Sequence, residues 1–219
     1  MLTEAFQRML KAFGPQNWWP ADSRMEVMVG AVLTQNTNWK NVELAIGNLR
    51  SAELLTLEQL HDAPPSVLEQ HIRPAGYFRR KTARLKNLVR FVVDNYGDVD
   101  AMFQVPLERL RPALLGVNGI GPETADSILL YAGDKPTFVI DTYTARIAMR
   151  HGWIDLNADY HSLKTLFESR LDADVQLFNE YHALIVQVGK EFCKPNPKCE
   201  NCPLAPMLPA SGIVELHRS

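Results

Sequence analysis

The feature that most restricts how this chain can fold is a glycine-rich turn between two short helical segments. Gly116, Gly119 and Gly121 fall within six residues, where the backbone must turn tightly. Pro122 follows at a position that suits the first residue of a helix, and the apolar residues behind it have helical spacing. The pattern predicts two helices joined by a glycine hairpin at about residues 107–132. The free backbone N–H groups of such a turn suit an anion, of which phosphate is the common example.

Most of the remaining sequence also has the spacing of helices. Apolar residues recur at i, i+3 and i+4, and prolines and glycines separate the segments. The predicted helical segments are 26–33, 42–49, 52–60, 66–72, 80–93, 107–115, 122–132, 142–150, 162–171 and 174–190. Strand-like runs are short pieces such as 138–140, so we predict an all-α fold.

The composition is typical of a globular protein. The chain has 219 residues, of which 46% are hydrophobic and 22% are charged, and this length permits one large domain or two small ones. No apolar run approaches the ~20 residues that a membrane-spanning helix needs. The first segment, MLTEAFQRMLKAFG, is amphipathic and lacks the features of a signal peptide, so we expect a cytoplasmic protein.

The charges are unevenly distributed, although the formal net charge of −2 does not itself indicate a nucleic-acid-binding protein. Residues 71–90 carry eight basic side chains, counting histidine, and no acidic one. These are His71, Arg73, Arg79, Arg80, Lys81, Arg84, Lys86 and Arg90. Such a patch attracts phosphate groups whatever the net charge. The alternative is an ordinary solvated helix face.

The three cysteines of the chain are close together near its end. Cys193, Cys199 and Cys202 have the spacing C-x5-C-x2-C. Clustered cysteines in a cytosolic chain favour metal ligation over disulfides. Thiolates prefer soft metals, so zinc and an iron–sulfur cluster are the candidates.

Asp141 completes a recognisable pattern, because it follows the apolar run FVI and precedes another helical segment. Together with the glycine hairpin and Pro122, it resembles the helix-hairpin-helix, glycine/proline and aspartate signature of DNA glycosylases related to endonuclease III. The resemblance implies a base excision repair enzyme in which Asp141 is catalytic. An ionised carboxylate stabilises the positive charge that develops on the sugar as the base leaves. On the residues alone, an N-cap also explains Asp141, and a helix connection explains the hairpin.

The second hairpin helix bears on whether such an enzyme would also cut the DNA backbone. Glycosylases with that lyase activity use a lysine there, which forms a Schiff base with the sugar. Two residues beyond Gly121, where the resemblance places this lysine, the chain has Glu123. A glutamate cannot form an imine, so we predict a monofunctional enzyme in which water captures the sugar.

The same resemblance implies a domain arrangement and a cofactor. A six-helix domain would span 25–135, and 1–24 plus 136–219 would form a second helical domain with a cysteine loop at 193–202. In the family, four cysteines spaced C-x6-C-x2-C-x5-C hold a [4Fe–4S] cluster. Here the first interval is one residue shorter, and Leu208 stands where the fourth cysteine would be. We expect a structural [4Fe–4S] cluster completed by His217, by a hydroxyl or carboxylate, or by solvent; the alternative is a metal-free remnant.

Several further segments resemble the bacterial 3-methyladenine DNA glycosylases of this superfamily. They are WWP at 18–20, GAVLTQNTNW at 30–39, RPAGYFRRKTARL at 73–85 and YHALIVQVGK at 181–190. The resemblance implies a pocket for the flipped base formed by Trp18, Trp19, Pro20, Trp39 and Lys190. N3-methyladenine is cationic, and indole rings bind cations on their faces. Without the resemblance, paired tryptophans are equally explained as core.

The resemblance also implies residues that engage DNA. Gln35 and Asn36 would fill the space that the flipped base leaves, and Tyr77 would wedge into the opposite strand. The hairpin would contact the DNA backbone through Gly116, Gly119, Gly121 and Thr124. The expected partner is double-stranded DNA with a damaged base, bound by a monomer.

Three alternatives remain open on the sequence. An adenine- or thymine-mismatch glycosylase would keep the fold and Asp141 but would need polar groups for a neutral base. A non-catalytic helix-hairpin-helix module would bind DNA without using Asp141. A bifunctional lyase would need a nucleophile other than Glu123.

Overall fold

The computed structural model describes residues 1–19 and 21–216, and within them every regular element is helical. The prediction of an all-α fold is confirmed. The α-helices are α1 (Leu2–Phe13), α2 (Arg24–Leu33), α3 (Trp39–Ser51), α4 (Leu57–Asp62), α5 (Pro65–Ile72), α6 (Phe78–Tyr96), α7 (Val99–Gln104), α8 (Leu107–Leu115), α9 (Pro122–Ser127), α10 (Thr142–Arg150), α11 (Tyr160–Glu168) and α12 (Val175–Glu191). A π-helical turn (Ile128–Ala132) continues α9, and 3-10 turns lie at Arg73–Ala75 and Ala205–Met207.

The chain divides into two compact units. One unit is Ala21–Lys135 and contains α2 to α9 with the π turn. The other combines Met1–Pro20 with Pro136–Ser219 and contains α1 and α10 to α12.

The middle unit, Ala21–Lys135, packs its helices around an aliphatic core and holds the hairpin. Met28, Leu49, Leu85 and other aliphatic side chains are fully buried there. Arg111 on α8 donates to both carboxylate oxygens of the fully buried Asp126 on α9, at 2.7 and 3.0 Å. This bidentate pair joins the two hairpin helices.

The other unit has an aromatic core that joins its distant segments. Phe138 stacks on Phe167 with ring centroids 4.3 Å apart, and both rings contact Tyr181 edge-on. The buried Tyr181 hydroxyl donates to the carbonyl of Leu2 at 3.0 Å, so α12 is linked to the start of α1.

The prediction of a single helix at 52–60 is wrong. Helix α3 ends at Ser51, and α4 begins only at Leu57. Glu53 has φ 55°, which interrupts a right-handed helix, and the Thr56 side chain accepts from the backbone N–H of Gln59 as a new N-cap.

The strand-like run before Asp141 forms no regular element and pairs with no strand among the described residues. Side chains on one face of α11 bind its backbone instead. Glu168 accepts from Phe138 N at 2.8 Å, Lys164 Nζ donates to Phe138 O at 3.1 Å, and Tyr160 accepts from Ile140 N at 3.4 Å. Lys164 also pairs with Glu168, at 2.6 Å. The polar groups that a sheet would satisfy are therefore satisfied by a helix.

Two lysines of the predicted basic patch are buried and do not contribute to a charged surface. Lys81 and Lys86 on α6 are 1% and 8% exposed, and their ammonium groups bind backbone carbonyls. The exposed cations of the patch are Arg73, Arg79, Arg80 and Arg90. In residues 1–19 and 21–216, no helix is both long and apolar enough to span a membrane.

Candidate active site

Asp141 is the N-cap of α10, and its carboxylate is held in place by the first turn of that helix. Oδ1 accepts from the backbone N–H of Thr144 at 2.7 Å and from the Thr144 hydroxyl at 2.8 Å. The side chain is only 12% exposed. The capping role that sequence alone suggested is thus present, and it fixes the orientation of a largely buried carboxylate.

The second carboxylate oxygen of Asp141 faces His182, a buried residue of α12. His182 Nε2 lies 3.7 Å from Asp141 Oδ2. Burial raises the pKa of Asp141, but the interaction with His182 and the two bonds from Thr144 outweigh this effect and hold the pKa below its usual value. Asp141 is therefore ionised at neutral pH.

A glycine on α12 allows α10 to approach closely enough for this pairing. A β-carbon at Gly189 would overlap the ring of Tyr143, the second residue of α10. The guanidinium group of Arg146, also on α10, lies over the same Tyr143 ring, 5.1 Å from its centroid. Any larger residue at position 189 would push α10, and with it Asp141, away from α12.

Three of the predicted base-pocket residues lie together in the same unit. Trp18 and Trp19 meet edge to face with centroids 5.9 Å apart, and Lys190 Nζ lies 5.7 Å from the centroid of the Trp18 ring. Both indoles are half-buried, whereas Lys190 is exposed. Pro20 lies outside the described residues. The face of Trp18 is therefore already occupied by a cation of the protein itself.

Trp39 belongs to the middle unit, where it is the first residue of α3. Its indole N–H donates to Glu43 at 2.9 Å, one turn further along the helix. The ring is half-buried.

Gln35 joins the loop after α2 to the glycine hairpin. Its amide nitrogen donates to Gly119 O at 3.1 Å and to the Thr124 hydroxyl at 2.9 Å, and its amide oxygen accepts from Arg84. Thr124 is 6% exposed, so its hydroxyl is used inside the protein.

The hairpin glycines serve different purposes. Gly119 has φ 94°, and a β-carbon there would overlap the side chain of Arg84, so the space is filled by an arginine of the same chain. Gly121 is the exposed N-cap of α9 with open space beside it, and Gly116 caps α8. Glu123, at the position of the lyase lysine, is the exposed second residue of α9.

Of the three residues predicted to enter the duplex, Asn36 and Tyr77 are exposed on left-handed backbone, whereas Gln35 is partly buried. Asn36 has φ 54° and Tyr77 has φ 45°. Tyr77 is 65% exposed, which is the highest exposed fraction of any large hydrophobic residue in the described part of the chain. Strained backbone that presents a side chain to solvent is typical of functional loops.

The three cysteines line one small cavity with His151 and apolar side chains. Burial raises the pKa of the Cys202 thiol, and the neighbouring Cys193 and Cys199 raise it further. Among residues 1–19 and 21–216, no three His, Cys, Asp or Glu side chains lie together as ligands of one ion. Leu208 also lines the cavity, whereas His217 lies outside the described residues.

Arginine side chains hold the cysteine loop against α10. Arg150 donates to Cys193 Sγ at 3.4 Å and to the carbonyls of Lys194 and Pro195 at 2.6 and 2.9 Å. Arg146 donates to Cys193 O at 2.6 Å. The loop thus has a fixed position next to the helix that Asp141 caps.

His182 is the site residue that sequence reasoning missed. It lies within the run YHALIVQVGK, in which the resemblance points to Lys190. The signal in the sequence is a histidine that directly precedes the apolar residues 183–186, and it is weak because a buried histidine is more often structural.

Comparison with known proteins gives the family of the chain. Residues 29–172 match the HhH-GPD superfamily, described as base excision DNA repair proteins. A protein of Methanocaldococcus jannaschii provisionally named a DNA repair glycosylase is 47% identical over 206 residues, covering 93% of this chain and 94% of its own. Endonuclease III of Thermotoga maritima is 31% identical over 205 residues, covering 92% and 89%.

Solved structures give the same family. H. pylori 3-methyladenine DNA glycosylase, MagIII, bound to 1,N6-ethenoadenine, superposes with a TM-score of 0.72 at 28% identity over 86% of this chain and 94% of its own. A non-covalent endonuclease III–DNA complex, 22% identical, superposes with a TM-score of 0.80 over 94% and 93%, which shows the shared fold. The chain therefore belongs to the HhH-GPD superfamily of base excision DNA repair proteins, as a DNA glycosylase.

Proposed function

We propose that this protein is a monofunctional DNA glycosylase that flips and hydrolytically removes an alkylated purine, with 3-methyladenine as the preferred base. The observation that carries the catalytic part is the buried, ionised carboxylate of Asp141, held by Thr144 and faced by His182. The partner is double-stranded DNA that contains the damaged base.

Asp141 acts on the sugar from which the base departs. As the glycosidic bond lengthens, positive charge develops at C1′, and a fixed carboxylate lowers the energy of that state. Thr144 binds Oδ1, so Oδ2, which also faces His182, is the oxygen that would act on the sugar or on the attacking water. His182 beside Oδ2 acts as a positioning residue, since it favours the ionised form.

The choice of base rests on the aromatic residues before α2. The Trp18 ring face already lies against the Lys190 ammonium, so it can attract a positive charge, and a cationic base would stack there in place of Lys190. N3-methyladenine is cationic and has a weakened glycosidic bond, so it needs stacking more than it needs activation of the leaving group. MagIII, a solved structure in the same family, is itself a 3-methyladenine glycosylase.

A panel of bases tests this proposal. We expect wild-type protein under single-turnover conditions to release 3-methyladenine from alkylated DNA faster than 7-methylguanine, 1,N6-ethenoadenine or hypoxanthine. Trp18→Leu should lower kcat/KM for the cationic base roughly tenfold, and that for hypoxanthine by less, because leucine keeps apolar volume but has no ring to attract a cation. Released bases are measured by chromatography.

The matched control is Trp153→Leu, which removes another half-buried indole of the same unit. It should leave the ratio of cationic to neutral excision unchanged. Faster release of uracil or thymine from mismatches, or of adenine opposite oxidised guanine, would assign the enzyme to a different specificity. Equal losses on all bases in Trp18→Leu would mean that the indole supplies only shape.

We also propose that the cysteine cavity holds an iron–sulfur cluster through Cys193, Cys199 and Cys202. The support is chemical: three thiols line one small cavity and thiolates suit a soft metal centre, although in the described residues they do not lie together as ligands of one ion. Arg150 would donate to the ligating sulfur of Cys193. When bound, the cluster supplies a cross-link that stabilises the loop after α12.

Metal analysis tests the cluster. Protein purified without oxygen should be brown, contain iron and sulfide, and lose its broad visible absorbance on chelation. Cys199→Ser should lose the iron and unfold at a lower temperature, because metal binding is coupled to the folding of such loops. One zinc per chain, or stable metal-free protein with an unchanged unfolding temperature in Cys199→Ser, would contradict the proposal.

A further inference from the structure

Lys81 occupies an unusual position in the middle unit. It lies in the first turn of α6 and is 1% exposed, yet it carries an ammonium group. Nζ donates to the carbonyl of Leu33 at 2.7 Å and to the carbonyl of Ala75 at 2.8 Å. Burial, with a contribution from the charge of Arg84, lowers the pKa of Lys81 to about 8.

The two carbonyls belong to different helical ends. Leu33 is the last residue of α2, and Ala75 is the last residue of the 3-10 turn before α6. Carbonyls at helix C-termini carry partial negative charge and lack partners within the helix, so a cation suits them. An apolar residue would avoid the cost of burying a charge but would leave both carbonyls unsatisfied.

Each of these ends leads directly into a loop that presents side chains to solvent. Asn36 lies three residues after Leu33, and Tyr77 lies two residues after Ala75. Both have positive φ and both are exposed. The exposed Arg79 and Arg80 lie close after Tyr77 in the sequence. An exposed aromatic ring can stack on nucleic-acid bases, and neighbouring arginines can bind phosphates.

The glycine hairpin is joined to the same group of loops. Arg84, one turn after Lys81 on α6, donates to Gln35, which in turn donates to Gly119 O. Lys81, Arg84 and Gln35 thus form a polar cluster, and its bonds reach the loop after α2, the turn before α6 and the hairpin.

We propose that Lys81 is a positioning residue for base flipping, whose ammonium fixes the distance between the Asn36 loop and the Tyr77 loop so that both side chains enter the duplex together. This inference rests on the proposed function, since it concerns how the damaged base is extruded. Lys81 itself does not contact DNA, because it is buried.

The chain offers a close control in Lys86, on the same helix. It is also buried, and its ammonium binds the carbonyls of Leu60 and Ala63 at 3.1 and 3.0 Å, at the end of α4. Neither of these carbonyls adjoins the exposed loops that carry Asn36 and Tyr77. Lys81→Met and Lys86→Met therefore remove the same chemical group from the same helix at similar burial.

The experiment compares the two variants on duplex DNA with 2-aminopurine beside the target site, where fluorescence rises when the base is unstacked. We expect Lys86→Met to give the wild-type fluorescence rise at saturation, and Lys81→Met to lose most of it. On duplex substrate, kcat/KM of Lys81→Met should fall about tenfold to a hundredfold, the range that a small misplacement of positioning groups produces. On single-stranded substrate, which needs no flipping, the loss should be much smaller.

Thermal unfolding is recorded for both variants, since both should lose stability. If Lys81→Met does not fold, Lys81→Gln provides the comparison, because its amide keeps two donors on a shorter stem. Equal fluorescence and equal duplex-to-single-strand ratios in the Lys81 and Lys86 variants would overturn the proposal. The fluorescence needs no excision, so it still tests Lys81 if the wild-type protein releases none of the alkylated bases.

Discussion

Asp141→Asn is expected to bind damaged duplex DNA with near-wild-type affinity and to excise the base at least about 10²–10³-fold more slowly. The amide has the size of the carboxylate, and its oxygen can still accept from Thr144, so the start of α10 should be preserved. What is lost is the negative charge next to the developing cation. Single-turnover excision and equilibrium binding measured on the same duplex separate these two effects.

Asp159→Asn is the matched control for this substitution. Asp159 caps α11, which has nine residues like α10, and accepts from the backbone N–H of Ser162 at 2.8 Å in the same way. The control therefore changes a cap of the same kind without touching the proposed site. If both variants excise at similar rates, Asp141 is only a helix cap.

The pH dependence of excision provides a second measurement on the same carboxylate. If the proposed role of Asp141 is correct, activity requires its ionised form and is lost as the pH falls through its pKa, which His182 helps to keep low. His182→Leu removes that effect and leaves the effect of burial, so the pKa rises and the acid limb of the kcat profile moves to higher pH. Well above both pKa values the two proteins should differ little. An unmoved acid limb would exclude His182 from this role.

The second large effect concerns covalent chemistry at Glu123. Wild-type protein should form no borohydride-trapped adduct with substrate DNA and should leave abasic sites that break only in hot alkali. Glu123→Lys should produce a trapped adduct, because an amine at this exposed second position of α9 can attack the sugar. The helix N-terminus also lowers the pKa of a lysine there, which increases the fraction of neutral nucleophile.

Glu108→Lys tests whether the effect depends on place rather than on added charge. Glu108 is the exposed second residue of α8, so the substitution is chemically the same and lies on the first hairpin helix. No adduct is expected from it. An adduct in wild-type protein would instead show that another nucleophile gives this enzyme lyase activity.

The helical architecture and the hairpin could be predicted because their signals are local. Helical spacing and breakers define most segments, and Pro122 begins α9 as expected of a proline in the first turn. The break at Glu53 was missed because a single residue of positive φ has no effect on apolar spacing. Local sequence was also insufficient for the run before Asp141. Its residues favour a strand, but side chains of α11 bind its backbone instead.

The less predictable features depend on contacts between residues far apart in sequence. A lysine at position 81 or 86 looks like part of a basic surface until α2, α4 and the 3-10 turn are placed around α6. Gly119 suggests space for DNA, but Arg84 occupies that space. The pairing of His182 with Asp141 cannot be predicted from sequence, because it arises only when α10 packs on α12.

Side chains of α11 hold residues 137–140, and this has a consequence for which substitutions the protein can accept on that helix. In a sheet, backbone pairs with backbone, and almost any side chain can occupy the neighbouring strand. Here Tyr160, Lys164 and Glu168, spaced four residues apart on α11, provide those bonds with their side chains. Substitutions at these three positions should therefore be selected against together. In a set of relatives, they are expected to change as a group with the residues just before Asp141.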